Sequence, residues 1–468
     1  MLFSSIPFLY YFIVITLVLY FISPKKLKNA TLLLTSLFFY FWGERMYTIV
    51  MIVSILLGYV FGLLIERFRN TKAKKPLTAI SVALSLSFLL YFKYADFFIE
   101  NFNAVTGLSV PLLRVVLPIG ISFYTFQIIS YTIDVARGER AQKNPISLGA
   151  YITMFPQLIA GPIVRYSDID AELRSRTHSV ADTAEGIRRF IFGLAKKILI
   201  ANQLGELVSL YRVSDEKSVL FHWLYAIAFC LHIYFDFSGY SDMAIGLGRI
   251  FGFHFNENFN YPYISASVTE FWRRWHISLG SWFRDYVYIP LGGNKRGKAR
   301  QLFNILVVWF LTGMWHGAAW NFIIWGLFFA VFLTVEKLWL LKHLERSKVL
   351  SRVYVLILVL ISFVIFNASS MAEAGADLAG LIGIGENGMI PIISSEAVYS
   401  LKSFAVVMII AVIGATPLPK KLAEKFANGK NTKSVCNVCE PVVLMALMLV
   451  MTAYLVDGSF NPFLYFRF

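Results

Sequence analysis

The chain has 468 residues, of which 57% are hydrophobic and only 15% charged, with a mean hydropathy of +0.64. Soluble domains are roughly 45–50% apolar and about 25% charged, so this composition excludes an ordinary water-soluble fold and calls for helices that satisfy their own backbone in a bilayer. The net charge of +15 sits in short clusters between apolar runs, which suits an anionic lipid surface and the cytoplasmic side of a membrane, not a nucleic acid.

Taken in order, apolar runs fall near 6–23, 29–43, 47–65, 77–93, 115–135, 147–163, 188–211, 218–250, 302–317, 319–341, 353–369, 398–416 and 441–457. The first lacks a basic leader and a small-residue cleavage site, so it reads as a retained helix and not as a signal peptide. Some runs are short for a span, and 218–250 is too long for one and is interrupted by polar residues. The pattern predicts an all-α polytopic membrane protein of about 11 spans, two or so of them re-entrant or broken, in one domain over 1–468.

Basic residues follow the first run (Lys25, Lys26, Lys28) and the third (Arg67, Arg69, Lys72, Lys74, Lys75), and precede the last (Lys420, Lys421, Lys425, Lys430, Lys433). The segments 94–110 and 370–397 carry acids and no Lys or Arg. This bias places the basic loops in the cytoplasm and both termini outside. Cysteines are Cys230 and a lone Cys436-x-x-Cys439. That pair falls short of the four ligands zinc wants, so two reduced thiols in a cytoplasmic loop, and no metal, are expected.

Chemistry concentrates in 231–326. Asp236 and Asp242 interrupt an apolar run, with Ser238-Gly239 between them. Charge at membrane depth costs about 2.5–3.5 kcal/mol, so such residues face a cavity or a partner. Their spacing is not a clean helical repeat, and Ser238-Gly239 predicts a helix break. Then come Asn258 to Tyr263, Glu270-Phe271-Trp272-Arg273-Arg274-Trp275-His276-Ile277-Ser278-Leu279, and Trp282 to Asn294. Seven Lys or Arg lie in 273–300 with tryptophans among them. An interfacial belt accounts for that composition. So does a phosphate-binding entry, with Arg273, Arg274 and Arg284 as forks and Gly292-Gly293 as a flexible loop offering backbone amides. Finally His316 sits in Leu311-Thr312-Gly313-Met314-Trp315-His316-Gly317-Ala318. A lone buried histidine is more often a satisfied core residue than a catalyst, although imidazole is the usual general base.

These residues resemble the membrane-bound O-acyltransferase (MBOAT) family, in the branch of the alginate O-acetyltransferase membrane subunit and related peptidoglycan and cellulose acetylation proteins. The likeness rests on Pro156 to Tyr166, Tyr234 to Asp242, Glu270 to Leu279, Trp282 to Gly293 and Trp315 to Ala318. It is densest over 151–326. Gly280 departs from the serine expected after Ser278-Leu279.

The resemblance implies a central tunnel, a catalytic histidine at His316 and a second polar residue some forty positions upstream, at His276. It implies acetyl-CoA as donor, with Trp272, Trp275 and the three arginines near it and Asp236, Asp242, Ser238 and Asn321 as supporting polar groups. It also implies a bacterial inner membrane, a cell-surface polysaccharide as acceptor and an extracytoplasmic serine-esterase-like partner. The C-terminal tail 458–468, ending Asn461-Pro462-Phe463-Leu464-Tyr465-Phe466-Arg467-Phe468, is similar to that of a small partner of the D-alanyl-lipoteichoic acid MBOAT, in which a tyrosine carries the acyl group. Tyr465 is therefore either an acyl relay or an interfacial anchor. Two other functions remain open at this point: a transporter or channel for an acyl donor or polysaccharide, and transfer of D-alanine.

Overall fold

The structure, a computed structural model, describes residues 2–159, 161–386, 388–429 and 432–458. Among these, seven helices are long and apolar enough to cross a membrane by length and composition: Tyr47–Arg67, Lys74–Thr106, Val219–Ile250, Trp320–Leu344, Lys348–Asn367, Ser395–Gly414 and Val438–Val456. Each coincides with one of the apolar runs. The other runs form shorter helices or helices in pieces, such as Pro7–Ile22, Lys28–Glu44, Ile121–Arg137 and Lys298–His316. A two-residue hairpin, Ile384–Gly385 with Gly388–Met389, is the only sheet among the described residues. The fold is that of an all-α, multi-pass membrane protein.

By internal contacts the chain forms two compact units, interleaved in sequence: Met1–Arg189 with Met243–Asn256, and Phe190–Asp242 with Glu257–Phe468. In the first unit, Tyr47–Arg67 packs closely on Ile121–Arg137. A Cβ on Gly62 would lie 2.5 Å from the Tyr131 hydroxyl, so the glycine sets the approach, as small residues do between membrane helices. The run 147–163 is broken. Helix Pro145–Thr153 ends at Met154 and a short turn, Phe155–Leu158, follows. Pro156 lacks the amide needed to continue the ladder, while Phe155 N turns to Ser36 Oγ at 3.2 Å and Gln157 Nε2 donates to the Tyr151 carbonyl at 2.6 Å.

Val219–Ile250, which belongs to the second unit as far as Asp242, corrects one expectation. It is a single helix of 32 residues, unbroken at Ser238-Gly239. Gly239 serves close packing: a Cβ there would meet the Gly193 carbonyl at 2.7 Å. The two acids that made the run look interrupted are matched by two consecutive lysines in the π-turn Lys196–Ala201. Lys197 pairs with Asp236 where both are almost fully buried, and Lys196 Nζ lies 2.6 Å from Asp242 Oδ2. His232 is buried on the same helix, and its Nδ1–H donates to the Ala201 carbonyl.

Lys298–His316 and Trp320–Val335 form a tight helical hairpin. On Gly313, Gly317 and Gly326 a Cβ would fall within 2.4 Å of Phe322 or of the Trp309 carbonyl, so only glycine permits this approach. Cys436 and Cys439 lie in the first turns of Lys433–Val456, in a helix and not in a loop, because the apolar repeat Val435, Val438, Val442 carries the helix back that far.

Candidate active site

Both histidines singled out above lie in the second unit and both are buried, His276 at 2% and His316 at 7% exposure. One side chain touches both. The Trp315 ring lies 5.9 Å from the His276 ring and 5.0 Å from the His316 ring. His316 is the last residue of its helix, followed by extended Gly317. Trp325 and Phe366 flank its ring at 5.0 and 5.3 Å, edge to face. Asn321 holds that wall in place, donating from Nδ2 to the carbonyls of Phe366 and Ala368 at 3.3 and 2.9 Å.

His276 sits between helices Val268–Arg274 and Ile277–Phe283 with φ +43°, a left-handed conformation that costs a non-glycine residue about 1–3 kcal/mol unless its surroundings enforce it. They do. Asn260 N donates to Arg274 O at 2.9 Å and Ile277 N to Asn258 O at 3.0 Å, which clamps the chain on both sides. The preceding helix is itself fixed by Glu336, whose carboxylate accepts from Val268 N at 2.6 Å and Thr269 N at 2.9 Å.

The same clamp fixes the imidazole tautomer. Asn258 Oδ1 accepts the backbone amide of Ser278 at 3.2 Å. An N–H only donates, so this atom is the amide oxygen. His276 Nδ1, 3.2 Å from that oxygen, must then carry the proton. Nε2 is left as a bare acceptor, buried and without a hydrogen-bond partner. Burial pushes the pKa of His276 down to about 3, so the ring is neutral at ordinary pH. Asn258 is the residue that sequence reasoning missed. Its partners lie 18 and 20 positions away, and no local pattern announces them.

Two indole N–H groups are likewise buried and unpartnered, those of Trp272 and Trp325. Trp272 packs edge to face among Trp309, Trp325 and Phe329 at 4.6–5.6 Å. Such orphans cost about 1–3 kcal/mol each and mark places where a polar ligand or water is expected. Ser238 Oγ, buried on the Val219–Ile250 helix, is a further orphan. The site thus brings together one bare acceptor nitrogen, on His276, and buried donors in an aromatic setting.

The remaining expected residues are placed as follows. Trp275 packs into the core against Phe271, Phe259 and Phe363. Arg273 is exposed. Arg274 bonds Glu270 at 2.8 Å and the Asn260 carbonyl at 3.0 Å. Arg284 chelates Asp285 at 2.7 and 3.1 Å. The Gly292-Gly293 turn is pinned and not a free cradle. Its amides bond the carbonyls of Ile289 and Tyr288 at 2.9 Å, and Asn304 takes the Gly293 carbonyl. Asp236 and Asp242 are held by their lysines. Tyr465 lies outside the described residues.

Residues 36–372 match the family model of the membrane-bound O-acyltransferase family, and the chain belongs to that family and is an O-acetyltransferase. It is 37% identical over the full length of both chains to the "Probable alginate O-acetylase AlgI" of Azotobacter vinelandii. It is 42% identical to the protein of that name in Pseudomonas aeruginosa, over 80% of this chain and 73% of the relative. It is 32% identical to the peptidoglycan O-acetyltransferase of Helicobacter pylori, over 82% and 80%.

Proposed function

We propose that this protein, in a bacterial inner membrane, takes acetyl from cytoplasmic acetyl-CoA and passes it across the bilayer for O-acetylation of an extracytoplasmic polysaccharide. The observation that carries the reading is the pair of buried histidines on Trp315, one with a bare Nε2, in a chain whose full-length relatives are named for O-acetylation.

His316 is the general base. It takes the proton of an acceptor hydroxyl as that oxygen attacks the thioester carbonyl. The C–O bond forms, the C–S bond breaks, and the proton passes from His316 to the leaving thiolate. His276 does not compete for that proton; its bare Nε2 orients the substrate by accepting from a second donor, such as an amide N–H of the coenzyme arm, and as an acceptor it cannot stabilise negative charge. The buried N–H groups of Trp272 and Trp325 are the donors suited to the developing oxyanion. Arg273, exposed, and its neighbours Arg274 and Arg284 receive the donor's phosphates, with Trp275 supporting their segment. The acceptor is Tyr465, a partner residue or the glycan, and an extracytoplasmic serine-esterase-like partner completes transfer to the polysaccharide.

The test is transfer of radiolabelled acetyl from acetyl-CoA to purified wild type, His316→Ala and Tyr465→Phe. Label on wild type that is lost in both variants supports a His316-dependent relay through Tyr465. Label lost only in His316→Ala keeps the enzyme and moves the relay elsewhere. A normally inserted His316→Ala protein that still acetylates its glycan, where loss of a general base costs about 100-fold or more, overturns the mechanism.

A further inference from the structure

Away from the histidines, within the unit built from 1–189 and 243–256, three basic side chains close round one tyrosine. Tyr20 is fully buried near the end of the apolar helix Pro7–Ile22, and its hydroxyl donates to the Phe251 carbonyl at 2.7 Å. Arg176 Nε donates to that hydroxyl at 2.7 Å, and His178 Nε2 lies 2.9 Å from it. Lys28 Nζ sits 4.1 Å over the Tyr20 ring and donates to the Tyr20 carbonyl at 3.2 Å. Arg176 also donates to Asn29 Oδ1 at 2.7 Å, while its Nη2 is buried with no hydrogen-bond partner. Gly252, at φ +83°, makes room: a Cβ there would come within 3.2 Å of both Arg176 and His178.

No carboxylate is among the partners of these three groups in the described residues. The acids of the neighbouring helix Tyr166–Arg174 are engaged elsewhere, Asp168 by Asn256 and the Arg165 amide, Asp170 by Arg174 and Glu172 by His254. Burial, then Arg176 and Lys25, push Lys28 down; burial, then Lys28 and Arg176, push His178 down. Lys25 and Lys26 are exposed one turn away. A cluster of positive charge that shares a tyrosine and holds an unused guanidinium N–H is completed by an anion with several acceptor oxygens.

We propose that this cluster binds the phosphate of an anionic membrane lipid, with Lys28 and Arg176 as its ligands. Phosphate oxygens from a headgroup or from a soluble ester would suit these donors equally. The surroundings favour the lipid. Leu19, Phe21, Ile22 and Leu27 are all exposed, Ile22 at 78%, and they border the cluster where an apolar helix gives way to Lys25, Lys26 and Lys28. Acyl chains cover such side chains and a soluble ester does not. The site is separate from the proposed acetyl transfer and stands if that reading fails.

The test uses the purified full chain, with retained phospholipid measured by native mass spectrometry after exchange into phosphatidylglycerol or phosphatidylcholine. Wild type is expected to retain phosphatidylglycerol in preference. Lys28→Gln should lower that preference about fivefold, the worth of one cation at a lipid surface, and Arg176→Gln by at least as much. Lys143→Gln, at an exposed lysine elsewhere, should leave it unchanged. Arg176 also braces Tyr20 and Asn29, so a collapse of that variant is uninformative and Lys28→Gln decides. Equal retention of the two lipids, or an unchanged Lys28→Gln, overturns the proposal. So does thermal stabilisation by inorganic phosphate where phosphatidylglycerol gives none, which would assign the site to a soluble ester.

Discussion

The second unit buries two sets of polar side chains, and they are built on opposite terms. Around Asp236 the groups are matched: two acids meet two consecutive lysines, and His232 has its carbonyl. Around His276 and His316 they are left over. A bare imidazole nitrogen and two indole N–H groups have no partner, and a backbone is held in a left-handed conformation to aim one of them. A matched set contributes architecture. An unmatched one keeps its hydrogen-bonding capacity for a substrate, at a cost to stability.

Breaking the matched set should give the largest loss of fold. Asp236→Ala strands Lys197 as a buried cation and is expected to cost about 3–5 kcal/mol, seen as a large fall in melting temperature of the purified protein. Adding Lys197→Met should recover most of it. A stable Asp236→Ala protein with lost transfer would move Asp236 into the site.

On the unmatched side, Asn258→Leu removes the oxygen that fixes the His276 tautomer. The rate should fall about tenfold or more, with Asn258→Asp, which keeps an accepting oxygen, recovering part. A purely structural role would show the same melting loss in both variants and no difference in rate.

The pH dependence sharpens the contrast further. His276 has its folded pKa pushed down to about 3 from an ordinary value near 6.5. Between those values the unfolded chain binds a proton that the folded one refuses, so stability should fall as pH drops from about 6.5 toward 3. Melting curves of His276→Gln should fall less over that window. The smallest effect is expected at Ser238, whose hydroxyl is buried without a partner. Ser238→Ala should leave stability unchanged or raise it by up to about 1 kcal/mol, and a clear loss would mean that the hydroxyl is satisfied after all.

Much of this was legible in the residues. The seven long helices coincide with apolar runs. The histidines and their order along the chain came with the family motifs. What failed to show were relations across the fold. Gly239 looked like a helix break because the Gly193 carbonyl it admits lies 46 positions away. Gly292-Gly293 looked free because the carbonyls and Asn304 that pin it act only in the folded turn. Asn258 carried no signal beyond its place in an Asn-Phe-Asn motif.

The Lys197–Asp236 pair also sets a condition on how the chain enters the membrane. Ribosomal synthesis delivers Lys196 and Lys197 some forty residues ahead of Asp236 and Asp242. Until the later helix arrives, the lysines have no acid to meet, and Asp236 has no cation at the place where the folded chain buries both. Charge at membrane depth costs about 2.5–3.5 kcal/mol on insertion scales, so the helix that carries Asp236 is expected to settle against the lysine segment as it inserts and not before it.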